Sequence, residues 1–262
     1  MARQSVEHTH RALERWRDTP IGRYVLGAEN TVLADGLEGL YGSFGLQLGD
    51  WAGSRLFPLQ DDQLHRCYVV SSPDAGAKGL VDVWADPHHL PIATESVDVV
   101  VLSHLLEQVP HPHPLLREVD RVLISEGRLV IVGFNPYSFW GLRAWLSRSG
   151  RTVPWAERLI SEYRLRDWLS LLGYDVTDVR YCLYRPPIAH GGLLARLVAL
   201  DRWLGRFVPW IGGGYVLVAR KRVRNLTPLR RRRRWVPRLV PAGRLGAAVP
   251  LNTTSEPINE NS

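Results

Sequence analysis

Three polar residues stand directly after strand-like apolar runs: Asp86 after Leu80–Trp84, His104 after Val97–Leu102, and Asn135 after Arg128–Phe134. A carboxylate can accept hydrogen bonds from an exocyclic amine such as that of adenine. An imidazole can remove a proton from an attacking oxygen or nitrogen. Each residue has a plainer reading beside this one: Asp86 as a loop or helix-capping carboxylate, His104 as a structural histidine, and Asn135 as the start of an aromatic loop, Pro136-Tyr137-Ser138-Phe139-Trp140, packed between sheet and helix. His111 and His113 lie in a proline-interrupted loop, and their H-P-H-P spacing lacks the i, i+4 geometry or second cluster of a metal site, so no metal is expected.

These residues share a crevice only if the runs form a parallel sheet, because ligands of such sheets bind beyond the carboxyl ends of the strands. The intervening pattern predicts that sheet. Helical spacing at Leu115, Leu116, Val119 and Val122 separates the second run from the third, with a turn expected at Ser125-Glu126-Gly127. Upstream, Phe44–Leu48 reads as the first strand, ending in a tight turn at Gly49-Asp50-Trp51-Ala52-Gly53, and Cys67–Val70 as the second. Downstream, a helix over Glu162–Leu172 closes at Gly173, and Tyr174–Leu183 and Tyr215–Arg220 complete seven strands. The fold class expected is α/β, a Rossmann-like, doubly wound, mostly parallel sheet. Helical patterns over residues 5–17 and 25–40 predict an N-terminal cap, so the expected organisation is a cap over 1–43, the sheet domain over 44–220 with a helical insertion at 186–212, and a tail over 221–262.

The chain has 262 residues, 45% of them hydrophobic and 23% charged, which is globular composition. Nothing approaches the roughly 18 uninterrupted apolar residues that would span a bilayer, and the charged N-terminus has no secretory apolar core, so the expected location is the cytoplasm. Cys67 and Cys182, each inside a predicted strand, read as core residues. The net charge of +7 is unevenly spread, since Arg220 to Arg244 holds eleven basic residues and no acidic one. That tail, proline-interrupted and expected to be disordered, suits nucleic acid or an anionic membrane surface as partner, or simply solvation.

In order, Asp86-Pro87-His88-His89-Leu90-Pro91, Ser96-Val97-Asp98-Val99-Val100 and Arg121-Val122-Leu123 with Gly127 resemble the D-x-x-x-LP, S-x-D-x-V and RVL-x-x-x-G signatures of class I S-adenosylmethionine-dependent methyltransferases of type 11. The resemblance implies S-adenosylmethionine as cofactor and methyl transfer to an acceptor expected to be a small molecule. It places Gly49, Asp50 and Gly53 in the cofactor turn, with Asp86 at the adenine, His88 lining the adenine side, Ser71 near the ribose, and Ser103 and His104 where sulfonium and acceptor meet. Asp98, at the amino end of its strand, is expected to satisfy turn amides instead. The chain departs from the pattern at Trp51, which replaces the middle glycine, at Gln47, where an acid is usual, and at the end of the second strand, which lacks the ribose-binding carboxylate. These departures leave room for a non-catalytic binding protein of the same fold, and the basic tail for an RNA-directed enzyme or RNA-binding protein.

Overall fold

The computed structural model describes residues 16, 18–37, 39, 41–49, 64–72, 81–146, 158–186 and 204–222. The chain divides into two units, Met1–Arg224 and Asn225–Ser262, and every described residue belongs to the first. Most of the expected first helix, most of the insertion, nearly all of the tail, and Asp50 to Gly53 lie outside the described residues.

Seven strands form one sheet: β1 (Gly42–Leu48), β2 (Leu64–Ser71), β3 (Val83–Trp84), β4 (Val97–Ser103), β5 (Leu123–Phe134), β6 (Tyr174–Cys182) and β7 (Gly214–Lys221), in the order β3-β2-β1-β4-β5-β7-β6. Strands β1 to β5 run parallel, and β7 is antiparallel to both its neighbours. Because β1 has β2 on one side and β4 on the other, the chain reverses its direction of travel across the sheet there. That makes the carboxyl ends of β1 and β4 the switch point where a ligand crevice opens.

Alternation along β4 shows why its sequence is apolar from Val99 to Leu102. Val99 and Val101 pack on one face with Leu33 and Leu37 of helix α1 (Pro20–Leu37), while Val100 and Leu102 pack on the other with Leu115 and Val119 of α3 (Pro112–Val122). A strand covered on both faces has no solvent side to make polar. Between β4 and α3 lies the single turn α2 (Leu105–Gln108), and α4 (Phe139–Leu146) follows β5. Helix α5 (Glu162–Leu172) ends at Gly173, as its sequence predicts, with Gly173 at φ 85°, and it begins at Ser161, whose side chain accepts the Arg164 amide.

Two expectations need correction. Strand β5 starts at Leu123 and not at Arg128, so Ser125-Glu126-Gly127 is no turn between elements but a bulge inside one strand, where pairing with β4 jumps from Val97↔Leu123 to Val99↔Arg128. Glu126 takes φ 68°, and a Cβ on Gly127 would lie 2.7 Å from Leu123 Cγ, so the turn-like composition serves a strand irregularity. Among the described residues the third strand is only Val83–Trp84, because β3 pairs with β2 through two residues at the sheet edge.

Candidate active site

The three signature segments form one hydrogen-bonded unit. The Asp86 carboxylate accepts the His88 amide at 2.9 Å and faces His89 Nδ1 at 3.3 Å, while its carbonyl accepts the His89 amide at 2.9 Å. The capping reading of Asp86 is thus realised within a tight turn. The His88 amide, above all, holds the Asp86 carboxyl below the usual carboxylate range, and its side chain stays 57% exposed at the carboxyl end of β3. Farther along, Leu90 donates to Glu118 Oε1 at 2.7 Å, and Arg121 binds Glu118, the Leu90 carbonyl at 3.1 Å and the Ile92 carbonyl at 2.9 Å. Arg121 therefore bolts the Asp86–Pro91 loop to α3. Asp98 behaves as expected, its Oδ2 accepting the amides of Ser43 and Phe44 at 2.9 Å each, away from the crevice.

At the switch point, Gly49 sits at φ 88° and donates to the Val70 carbonyl at 3.1 Å. Its carbonyl accepts Gln47 Nε2 at 3.1 Å. Gln47 is fully buried, so the residue standing where an acid is usual secures the turn from inside the sheet. A Cβ at position 49 would lie 3.0 Å from the Ser103 carbonyl and 3.3 Å from Leu105 Cβ, which brings the ends of β1 and β4 as close as a residue without a side chain permits. Ser103 is buried, and its Oγ has no hydrogen-bond partner; the buried His88 Nδ1 has none either. Ser71 is buried at the end of β2, where its carbonyl accepts the Ala85 amide at 3.1 Å. The remaining turn residues assigned to the cofactor, Asp50 and Gly53, lie outside the described residues.

His104 follows Ser103 directly, as the sequence indicates, in the left-handed region at φ 50°. Its ring is fully buried. Nε2 lies 3.0 Å from Glu29 Oε1 and Nδ1 lies 3.0 Å from Glu107 Oε2, while the other Glu107 oxygen accepts the Phe134 amide at 2.6 Å. Burial alone would lower the histidine pKa; the charge of Glu29 and the bonds to both carboxylates outweigh it and raise the pKa to about 9. Burial pushes the Glu107 carboxyl upward. At neutral pH the imidazole is therefore a cation that donates from both nitrogens, tying α1 to the ends of β4 and β5, with no free lone pair to accept a proton. Sequence reasoning missed both glutamates. A signal existed for one of them, because Glu29 continues the buried i, i+4 stripe of Val25, Leu33 and Leu37.

Asn135, expected in the crevice, is a strut. Its Nδ2 donates to the carbonyls of Trp210 and Gly212 at 2.9 and 3.0 Å, and its Oδ1 accepts the Tyr137 amide at 3.0 Å. His111 and His113 instead line a cavity of about 450 Å³ together with Leu106, Arg158, Arg164 and Trp168. Within it the His113 ring lies 4.3 Å from that of Trp168, and the Arg164 guanidinium 5.7 Å from the Trp168 ring centroid. A second, apolar cavity of about 300 Å³ lies under Pro91 and Ile92 toward the amino half of β1 and β4, away from the switch point.

A seven-stranded sheet with one antiparallel strand and a glycine turn at the β1/β4 switch point defines a class I S-adenosylmethionine-dependent methyltransferase fold. The family model described as a methyltransferase domain matches residues 70–131, the segment that contains all three signatures. The chain belongs to the type 11 methyltransferase family. It is 37% identical over 223 residues to the uncharacterised protein YafS of Escherichia coli strain K12, covering 85% of this chain and 86% of YafS. Among solved structures, a S-adenosylmethionine-dependent methyltransferase from Thermotoga maritima superposes with a TM-score of 0.61 at 19% identity, over 83% of this chain and all of that one. A chain from the complex of the Haloferax volcanii Trm112 methyltransferase activator gives a TM-score of 0.55 at 17% identity, over 80% of this chain and 97% of that one.

S-adenosylmethionine is the cofactor. Among the described residues, those that could hold it are Gly49, whose position has no room for a side chain, Ser103, whose buried hydroxyl has no hydrogen-bond partner, and the exposed Asp86 carboxylate.

Proposed function

We propose that this chain transfers the methyl group of S-adenosylmethionine to a small, planar acceptor carrying negative charge. The observation that supports the transfer reading is the junction of β1 with β4, where a Cβ on the positive-φ Gly49 would lie 3.0 Å from the carbonyl of Ser103, a residue whose buried hydroxyl has no hydrogen-bond partner. In this reading the backbone at Gly49 and the Ser103 hydroxyl hold the methionine portion, and the Asp86 carboxylate and His88 Nδ1 receive the adenine. The cofactor supplies the electrophilic carbon. The protein contributes alignment and exclusion of water, which can account for much of a methyl-transfer rate. His104 acts as a positioning residue, since both its nitrogens are engaged; the acceptor's attacking atom is one that needs no proton removed by this imidazole.

Support for a small acceptor comes from the cavity of about 450 Å³ next to α2, a volume typical of small-molecule sites. Its two arginines and Trp168 suit a flat ring bearing an anionic group. Calorimetric titration of the full chain with S-adenosylmethionine tests the reading. Saturable binding that weakens when Asp86 is replaced by alanine is expected, with an unchanged thermal melt for that variant. A properly folded chain that takes up no cofactor at millimolar concentration would refute it.

A further inference from the structure

Apart from Arg143, helix α4 is apolar on its exposed as well as its buried side. Trp140, Gly141 and Ala144 turn inward and are buried, yet the outward positions carry Phe139, Leu142, Trp145 and Leu146, which are 46%, 51%, 61% and 67% exposed. A surface helix normally puts charged and polar residues on that side; a helix that is hydrophobic all round belongs in a core or against lipid. Residues 207–210 extend the same surface, with Phe207 58% and Trp210 59% exposed. The two segments are fastened together, because Asn135, just ahead of α4, holds the Trp210 and Gly212 carbonyls, and Gly213 sits so close to Trp140 that a Cβ would lie 2.2 Å from its ring.

The only charged residues in Phe139–Leu146 and in residues 204–211 are Arg143 and Arg206, both exposed; neither segment contains an acid. Exposed tryptophan, phenylalanine and leucine interspersed with arginine is the composition of elements that lie in the headgroup region of an anionic bilayer, where the aromatic rings sit at the boundary and the guanidinium groups meet lipid phosphates. Eight residues of helix reach only about 12 Å, enough to lie in that boundary and far too short to cross it. No helix among the described residues is long and apolar enough to cross a membrane. Beyond β7 the sequence continues with the same sign of charge, through Arg230 to Arg234.

We propose that α4 and the turn at residues 207–211 form a docking face for the surface of a bilayer containing anionic phospholipid. A second protein would need a complementary acidic and apolar surface; a lipid surface offers both at once, and the arginine-only charge pattern matches it.

Flotation of the full chain with vesicles tests the proposal, comparing phosphatidylcholine alone with phosphatidylcholine containing one third phosphatidylglycerol. The chain should float with the anionic vesicles and stay behind with the neutral ones. The double variant Leu142→Glu/Leu146→Glu, altered only at outward positions, should lose partitioning by roughly ten-fold or more while keeping its circular dichroism melt. Trp145→Ser serves as the second variant if the double one misfolds. Equal flotation of a folded variant would assign any binding to the basic tail alone and overturn the docking face, as would failure of the native chain to float with anionic vesicles. A dimer in vesicle-free solution that the double variant dissociates would assign the face to a second copy and overturn it equally.

Discussion

Replacing Glu29 by glutamine keeps the shape of the side chain and an acceptor for His104, but removes the charge that does most to hold His104 protonated. The native histidine, with a pKa of about 9 against 6.5 in the unfolded chain, is raised on folding. Its contribution is therefore fully present below about pH 6.5 and is lost as pH rises through 9. Linkage gives about 2.5 kcal/mol at pH 7, the ratio of proton-binding polynomials for the two pKa values, and about 0.2 kcal/mol near pH 9.5. Glu107 works in the opposite sense, since a carboxyl raised by burial costs stability once pH exceeds the ordinary carboxylate range, so these figures are upper values. Without the Glu29 charge, Glu107 alone is left to oppose burial at the imidazole, and its pKa falls. Urea unfolding of native chain and Glu29→Gln should accordingly differ by about 1 to 2.5 kcal/mol at pH 7, with the gap shrinking several-fold by about pH 9.5. An NMR titration of the imidazole provides the second readout. A native His104 that titrates near 6.5, or a gap that is the same at both pH values, would refute the ion-pair account and return His104 to the list of candidate bases.

Gly49→Ala forces a Cβ into the left-handed region and against the Ser103 carbonyl, so it should lower stability by about 1 to 2 kcal/mol and reduce cofactor affinity; a variant as stable and as tightly binding as the native chain would show that the turn is not constrained. Asp98→Ala removes the acceptor for the Ser43 and Phe44 amides, and a loss of about 1 to 2 kcal/mol in chemical denaturation with unchanged cofactor binding is expected. A large fall in affinity without loss of stability would instead move Asp98 into the site.

Where local pattern and tertiary demand coincide, the sequence is legible. The continuous Val/Leu run of β4 has one reading because both faces of that strand are covered, and α5 carries its own start and stop in Ser161 and Gly173. At the β5 bulge they diverge: Ser125-Glu126-Gly127 has the composition of a turn, and only pairing with β4 keeps it in the strand. Asn135 diverges further, because its partners Trp210 and Gly212 are 75 and 77 residues away and no periodicity announces them. Within the site, Asp86 and Ser103 are found by position at strand ends. Glu107 is not, and Glu29 is marked only as a buried position of the α1 stripe, with nothing local to name the histidine it meets.

The buried triad also bears on how the switch point is held in a chain with Gln47 where the signature has an acid. A buried ion pair seldom adds stability beyond what well-packed apolar side chains would give in its place, while losing one partner is costly. What a Glu29–His104–Glu107 set provides that leucines do not is direction: each contact fixes a particular oxygen to a particular nitrogen, and the Phe134 amide fixes the second Glu107 oxygen. Those contacts locate α1, the end of β4 and the end of β5 relative to one another, one residue from Ser103 and next to Gly49. Gln47 adds a further bond to the Gly49 carbonyl from within β1. The backbone at Gly49 and the ends of β4 and β5 are thus held by buried hydrogen bonds from Gln47, His104, Glu29 and Glu107.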